Sequence, residues 1–178
     1  MKLRSGVAFL LMLCLVIAAV VIGAYQGWSN EKKAVEDTYA GLEKMIRARV
    51  ESAYNLITVA SRHLPQTDAH MAQLTDARDV LESDAPLPEK AAANEMLSQS
   101  ADQLLSALAA LPSVQNDSRD KMYVESYLPQ MLEESQARTA GAAYNTAAAA
   151  FNRELENSLS GFVARMLGIR PAEEFRIP

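Results

Sequence analysis

Cysteine, histidine and glycine are all scarce in this chain of 178 residues. The one cysteine, Cys14, lies in an apolar run, so the rest of the chain can form neither a disulfide nor a cluster of thiolate metal ligands. The seven glycines are scattered and form no phosphate-binding loop. The two histidines, His63 and His70, lack the i, i+4 spacing of a helical zinc motif. We therefore predict no metal site and no cofactor, and we expect both histidines to be solvent-exposed at a turn between helices.

Basic residues are outnumbered by acidic ones beyond the N-terminal segment. The first two dozen residues contain Lys2 and Arg4 but no acidic residue, so all 22 acids and 15 of the 17 bases lie downstream, a net charge of −7. Nucleic acid requires a basic surface, and broad electrostatic docking onto anionic lipid requires one too. We therefore predict no nucleic-acid partner.

Charge is absent altogether from Val7 to Tyr25, a run of 19 residues. At about 1.5 Å per residue, a helix of this length spans about 28 Å, close to the roughly 30 Å hydrocarbon core of a bilayer. Tyr25 ends this run and Trp28 follows it, at the position expected for an interfacial aromatic belt. The pattern predicts a transmembrane helix over residues 7–25, in contact with membrane lipid.

The alternative interpretation of this run is a cleaved signal peptide. Such a peptide has a shorter apolar stretch and ends in a small-x-small site, whereas Ile22-Gly23-Ala24 has a branched residue at the outer position. We expect an uncleaved, single-pass anchor.

The distribution of charge about the anchor indicates its orientation. Lys2 and Arg4 favour a short cytoplasmic tail over residues 1–6, although Lys32 and Lys33 on the other side weaken this assignment. We expect an inner (cytoplasmic) membrane protein whose soluble domain is periplasmic or otherwise extracytoplasmic.

Downstream of the anchor, apolar residues recur at spacings of three and four, which predicts helices. The first helix is expected to end before Pro65, the second to run from an N-cap at Thr67 to Ser83, and the third to run from near Glu89 to Leu111. Residues 113–120 are expected to form a polar loop, and Pro129 to kink or restart the last long segment. The final apolar stripe is Tyr144, Ala148, Phe151, Leu155, Leu159, Phe162 and Met166.

No run of alternating β-branched residues indicates a strand, so the predicted fold class is all-α. Helices joined by short loops favour an antiparallel bundle of about four long helices, into which the transmembrane helix continues. The predicted domains are a cytoplasmic tail at 1–6, a transmembrane helix at 7–25, a helical bundle at 26–165 and a C-terminal tail at 166–178.

A search for reactive groups gives no catalytic candidate. Neighbouring acids such as Glu133-Glu134 and Glu173-Glu174 diverge around a helix or lie in a tail, whereas acid–base catalysis needs two carboxylates that face one atom. The serines do not lie in a nucleophile elbow. We expect a protein that is not an enzyme.

Motifs in the final third resemble those of the LemA family. Tyr144-Asn145 and Phe151-Asn152 are similar to its YN…YN helix, and the stretch ARMLGIRP at residues 164–171, followed by Phe175, is similar to its GFKP-like turn and terminal aromatic pair. A looser resemblance extends over Arg49 to Leu111. Its residues are Arg49 with Asn55-Leu56-Ile57 (the family's R…IPNLV), Thr75-Asp76-Ala77-Arg78 (its T-E-A-R) and Leu97 to Leu108.

The chain departs from the family pattern at several positions. Tyr54 replaces a proline, Gly141-Ala142 replaces paired arginines, and residues 134–137 differ from an E-N-R-I stretch. The resemblance implies one membrane helix followed by a helical bundle, and it leaves the biochemical function open. Nine candidate structural or interaction residues follow from it: Asn55, Tyr144, Asn145, Phe151, Asn152, Gly168, Arg170, Pro171 and Phe175.

Spacing suggests roles for some of these residues. Asn145 and Asn152 lie seven apart on one helix face, where buried amides would pin the register of neighbouring helices. Gly168 is expected to end the last helix, after which Phe175 folds back onto its own bundle or onto a neighbouring subunit.

Two hypotheses of function remain open. The first is a non-catalytic scaffold or protein-interaction module at the cell envelope, whose partners are other membrane or envelope proteins or copies of itself. The second is an extracytoplasmic bundle that binds or senses a ligand.

Overall fold

The computed structural model describes residues 2–140 and 142–176, and every regular element within these ranges is helical. The all-α prediction is confirmed. In chain order the elements are α1 (Lys2–Asp37), α2 (Tyr39–Ala60), α3 (Ala69–Glu82), α4 (Leu87–Ala109), α5 (Pro112–Gln115), α6 (Ser118–Met122), a π-helical segment (Tyr123–Tyr127), α7 (Leu128–Ala140), α8 (Ala143–Asn157) and α9 (Leu159–Met166). Of the residues used for the predictions, Gly141 and Pro178 lie outside the described ranges.

The contacts within the chain divide it into two compact units. The first unit comprises Met1–Thr38 and Thr146–Ala172, and the second comprises Tyr39–Asn145 and Glu173–Pro178. The predicted domain boundaries at residues 7, 26 and 166 stay predictions.

The first unit contains α1, most of α8, and α9. The helical stretch Gly6–Ala60 includes the one segment of the described chain that is long and apolar enough to cross a membrane. Between Val7 and Ile22 its large apolar side chains are exposed instead of packed against protein, except for the half-buried Val21. In the same unit Trp28 of α1 is buried and packs edge-to-face against Phe151 of α8, with ring centroids 5.7 Å apart.

The second unit is a bundle of four helices, α2, α3, α4 and α7, which pack against one another. Leucine side chains fill its core. Leucine is not branched at Cβ, so it adopts favourable rotamers in a helix, and the ends of these side chains interdigitate. The fully buried leucines are Leu42 and Leu56 on α2, Leu74 and Leu81 on α3, Leu97, Leu104 and Leu108 on α4, and Leu128 on α7. The sequence predicts a bundle of about four long helices, and this unit contains four.

Two predicted element boundaries need correction. The N-cap of α3 is Asp68, not Thr67, because the Asp68 carboxylate accepts hydrogen bonds from the backbone N–H groups of His70 and Met71. Residues 113–120, predicted as a loop, contain α5 and the start of α6. A proline at the start of α5 and the side chain of Asp117 at the N-cap of α6 allow these short helices to form.

The predicted restart at Pro129 is confirmed. Just before it the chain widens into the π-helical segment, in which the N–H of Leu128 donates to the carbonyl of Tyr123. Pro129 then falls in the first turn of α7, where its missing N–H leaves no gap in the α-helical ladder.

The predicted apolar stripe of the last segment is correct only up to Leu155. Tyr144, Phe151 and Leu155 are buried, but Leu159, Phe162 and Met166 are 84%, 53% and 75% exposed. The reason is a break at Ser158, where extended backbone ends α8 and the serine side chain caps α9 by accepting from the N–H of Gly161. The two helices therefore do not share one apolar face.

Gly168 ends α9 as predicted. Its φ of 93° is in the left-handed region that a glycine adopts without strain. The N–H of Gly168 donates to the carbonyl of Arg165 and the N–H of Ile169 to that of Ala164, which is the Schellman arrangement. Ile169 is buried behind this turn.

We predict opposite effects of alanine at two helical glycines. A Cβ on Gly161 would collide with the backbone carbonyl of Leu155, whereas a Cβ on Gly41 of α2 would meet open space. Gly161→Ala should lower the free energy of unfolding by about 2 kcal/mol through overpacking. Gly41→Ala should raise it by about 0.5–1 kcal/mol because alanine loses less backbone entropy. Denaturation of the full chain in detergent, followed by helical circular dichroism, measures both; an equal response would contradict the close approach at Gly161.

Candidate functional site

Arg49 of α2 is the most deeply buried charged residue in the described chain, at 1% exposure. It lies on the core face of the helix with Leu42, Ile46, Ala53 and Leu56. Val50 and Ile57, two apolar residues of the same helix, are only half-buried. One signal was available in the sequence, since position 49 follows Ile46 by three and precedes Ala53 by four, the spacing of an inward face.

The Arg49 guanidinium donates hydrogen bonds to two other helices of the bundle. Its Nε bonds to Asn94 Oδ1 at 2.9 Å and its Nη2 to Ser98 Oγ at 2.6 Å, both on α4. Its Nη1 bonds to the carbonyl of Leu132 at 2.9 Å and to Ser135 Oγ at 3.2 Å, both on α7. One side chain thus joins three helices, and neutral oxygens of the protein accept its hydrogen bonds.

Burial lowers the pKa of the Arg49 guanidinium to about 10, an effect that the negative charge of Asp102 partly offsets. The group is still charged at neutral pH. Because its pKa lies below the ordinary value for arginine, its charge costs stability at pH 7, and this cost is relieved only as the pH rises above about 10. The network stabilises the packing of helices, and oxygens of the protein accept the hydrogen bonds of Arg49.

Two grooves flank α2 in the second unit. A cavity of about 500 Å³ lies against α7 and is lined by Lys44, Glu51, Asn55, Tyr127, Met131 and Arg138, with Ser52 and Ser135 beside them. A cavity of about 670 Å³ lies on the α3 side, lined by Tyr39, Glu43, Arg47, Glu51, Tyr54, Arg78 and Lys90 among others. Both walls carry charges of both signs. Asn55, a predicted site residue, lies in the first groove with its amide nitrogen 3.9 Å from the sulfur of Met131.

His63 is not the exposed residue that the sequence predicts. Its side chain is only 8% exposed, because Nε2 lies 2.9 Å from Asp120 Oδ2 and Nδ1 lies 3.1 Å from Ser113 Oγ. Asp120 is itself buried and also accepts from Arg62 Nη1 at 2.8 Å. His70 is half-buried, and its Nδ1 has no hydrogen-bond partner. Pairing with the buried carboxylate draws the imidazole of His63 inward.

Ser113, His63 and Asp120 form a hydrogen-bonded row in the order of an acyl-transfer triad. Ser113 is exposed on the four-residue helix α5, and none of these three residues lines either groove beside α2. Arg62 also holds the carboxylate. These hydrogen bonds therefore serve to hold the turn that follows α2 against the short helices α5 and α6.

The C-terminal tail is held by hydrogen bonds to its own chain. In the first unit, the side chain of Asn152 donates to the carbonyl of Ala172 at 2.9 Å and accepts from the Ala172 N–H at 2.8 Å. In the second unit, the Tyr144 hydroxyl donates to the carbonyl of Glu173 at 2.8 Å, and the Glu173 carboxylate accepts from the N–H of Leu87. Within this chain the tail thus folds back, as one of the two sequence hypotheses had it.

The other predicted residues of the tail and of α8 fall into two groups. Phe175 is buried, whereas Arg170 and Pro171 are exposed. Asn145 donates from Nδ2 to the carbonyl of Thr139, and its buried Oδ1 has no partner. Asn152 therefore fixes the tail through its two hydrogen bonds to Ala172.

The two residues predicted to lie at the membrane interface differ from each other in exposure. The Tyr25 side chain is 44% exposed, whereas Trp28 is buried against Phe151. The position of either residue relative to a bilayer stays a prediction. Among the described residues, no three His, Cys, Asp or Glu side chains gather as they would around a metal ion.

We predict that Arg49→Ala destabilises the bundle by about 3 kcal/mol, because it leaves buried oxygens without donors and opens a cavity. The matched control is Arg47→Ala on the same helix, whose exposed side chain pairs only with Glu43. That change should cost less than about 0.5 kcal/mol. Urea denaturation of the full chain in detergent compares the two variants, and similar costs would refute the structural role of Arg49.

We also predict that Asn152→Ala releases the tail. The N–H of Ala172 should exchange with solvent about tenfold faster, because its acceptor is lost. Asn157→Ala is the matched control, since the Asn157 amide donates only to the carbonyl of Arg153 in its own helix. Hydrogen exchange resolved by mass spectrometry reports the difference. Unchanged protection of Ala172 in Asn152→Ala would show that other contacts hold the tail.

Comparison with known proteins agrees with the resemblance of the tail motifs. The LemA family model matches residues 38–178, which include the Arg49 network, α8 and the folded-back tail. A comparison with the curated proteins finds no match. Since the family match covers well over half of the sequence, this chain belongs to the LemA family.

Proposed function

We propose that this protein is a non-catalytic, membrane-anchored helical bundle that acts as a scaffold or protein-interaction module at the cell envelope. In this proposal residues 7–25 cross the inner membrane, the N-terminus is cytoplasmic and the bundle is extracytoplasmic. The observation that carries the proposal is the exposed apolar surface of α1. Side chains such as Phe9, Leu15 and Val20 are about two-thirds exposed or more, and in water such a surface is unfavourable.

The polar clusters support a structural use for the buried charges. Arg49 donates its hydrogen bonds to neutral oxygens inside the bundle, and Asp120 is held by Arg62 and His63. General acid–base or nucleophilic catalysis needs such a group beside a cleft that admits substrate. Neither Arg49 nor Asp120 lines the two grooves beside α2.

The walls of these grooves support protein binding. Each has an exposed tyrosine, Tyr54 in the larger groove and Tyr127 in the smaller, at 59% and 56% exposure. Tyrosine is enriched at protein interfaces, because its ring supplies contact area and its hydroxyl a hydrogen bond. Charges of both signs around each tyrosine would complement a mixed polar rim on a partner.

A second candidate function, ligand binding or sensing, is favoured by the size of the same grooves. Volumes of about 500 and 670 Å³ fall within the roughly 300–1,000 Å³ range of small-molecule sites. The two functions differ in what raises the stability of the purified chain. A small-molecule ligand would raise the thermal midpoint, whereas a scaffold responds to its protein partner.

The proposed function predicts covalent adducts when intact cells are treated with an amine-reactive cross-linker. The reagent can reach exposed lysines such as Lys33 and Lys44. Adducts of higher mass should form with a membrane-permeant reagent, and also with an impermeant one because the bundle is extracytoplasmic. Tyr54→Ser and Tyr127→Ser together should reduce their yield several-fold, since aromatic anchors carry much of an interface's energy.

The matched control is Met96→Ser, which removes a half-exposed apolar side chain of α4 away from either groove. Its adduct yield should equal that of the unaltered chain. A chain that stays monomeric with both reagents would contradict the scaffold. Adducts formed only by the permeant reagent would contradict the proposed orientation and leave the scaffold intact.

A further inference from the structure

Helix α9 presents an apolar face that no part of its own unit covers. Leu159, Phe162 and Met166 are spaced by three and four residues, so they share one side of the helix, and all are more than half exposed. Gly161 and Ala164 on the opposite side are buried. Leu167, which follows the helix, is also exposed. Such a continuous apolar face on a polar protein indicates a surface that binds something apolar.

The location of α9 within the first unit indicates what it binds. Helix α9 packs against α1, and Ser158 and Ser160 at its start line a cavity of about 610 Å³ together with Ala24, Gly27 and Trp28 of α1. Ala24 lies within the uncharged run, which ends at Tyr25, and Gly27 and Trp28 come directly after it. Within this unit, the start of α9 is therefore level with the place where the proposed membrane segment leaves the hydrocarbon.

The charge of this segment is opposite to that of the whole chain. Residues 158–172 contain Arg165 and Arg170 and no acid, whereas the chain carries a net charge of −5. Both arginines are exposed. Arginine beside an apolar helical face is the composition of helices that lie in the headgroup region of a bilayer, where the cation meets lipid phosphate.

We propose that α9 lies in the plane of the membrane interface, with Leu159, Phe162 and Met166 inserted among the lipids of the bilayer that α1 spans. The inference rests on the proposed membrane anchoring. The break at Ser158 turns the chain out of α8 at this level, and the close approach of Gly161 to Leu155 fixes which face of α9 points away from the protein. The occupant of the face is phospholipid, and Arg165 and Arg170 contact its headgroups.

Site-specific fluorescence in vesicles tests this placement with the full chain. In a Cys14→Ala background, Met166→Cys carries an environment-sensitive fluorophore on the apolar face of α9. Met122→Cys is the matched control, a methionine of the second unit that is also more than half exposed. The protein is reconstituted into vesicles of phosphatidylcholine and phosphatidylglycerol that contain a nitroxide-labelled phospholipid as quencher. Quenching at position 166 should be at least about threefold stronger than at position 122, because interfacial helices bury their apolar face about 5–10 Å deep.

A second pair of substitutions separates insertion of the helix from an effect of the fluorophore. Leu159→Asp with Phe162→Asp, in the Met166→Cys protein, places charge on the inserted face and leaves the buried side of α9 intact. Quenching at position 166 should then fall to the value at position 122. Undiminished quenching would mean that the fluorophore alone enters the lipid, and it would overturn the proposal.

The unaltered Cys14 distinguishes failure of this inference from failure of the proposed function. Cys14 is exposed on the apolar run of α1, so the fluorophore on it should be quenched if α1 is in the bilayer. Quenching at Cys14 with equal, weak quenching at 166 and 122 would refute the interfacial helix alone. Absence of quenching at Cys14 would refute both. A blue-shifted emission at position 166 without lipid quenching would identify a protein as the occupant and overturn the assignment to lipid.

Discussion

A buried positive charge determines how the four-helix unit packs. Arg49 of α2 is removed from water, and its hydrogen bonds to α4 and α7 replace the water that it lost. Sliding any of these helices by one residue would leave a charge without acceptors in the core, which costs more than an apolar mismatch of similar size. The register of the three helices, and with it the shape of the groove between α2 and α7, depends on this one side chain.

The first unit is organised by contacts of a different kind. Trp28 and Phe151 pack as an aromatic pair, and the amide of Asn152 forms two hydrogen bonds with the backbone of Ala172. These contacts involve α8 and the part of α1 that follows the uncharged run. The exposed apolar surface of the unit lies on α1 before Tyr25 and on α9, which is the distribution expected of a protein that meets a membrane at that level.

The spacing of apolar residues and the positions of proline and glycine predicted much of the fold. They predicted little about which polar side chains bond to one another. The all-α class, the restart at Pro129 and the helix end at Gly168 follow from local rules, because proline lacks an N–H and glycine tolerates positive φ. His63 was expected in solvent, yet Asp120, which draws it inward, is 57 residues away in the sequence. The stripe through Met166 failed because one capping serine, Ser158, rotates α9 relative to α8. An apolar period continues through such a break, so it cannot reveal which side faces the protein.

The sequence by itself determined the uncharged run, the helical elements and the family, since each is a property of neighbouring residues or of a linear pattern. Only the tertiary structure decided that Arg49 is the hub of the bundle, that Asn152 holds the tail and that the apolar face of α9 points outward. Each of these depends on groups that are distant in the chain and close in space. A local pattern states how apolar or polar a residue is, and the partners that satisfy or expose it are chosen only when the helices pack.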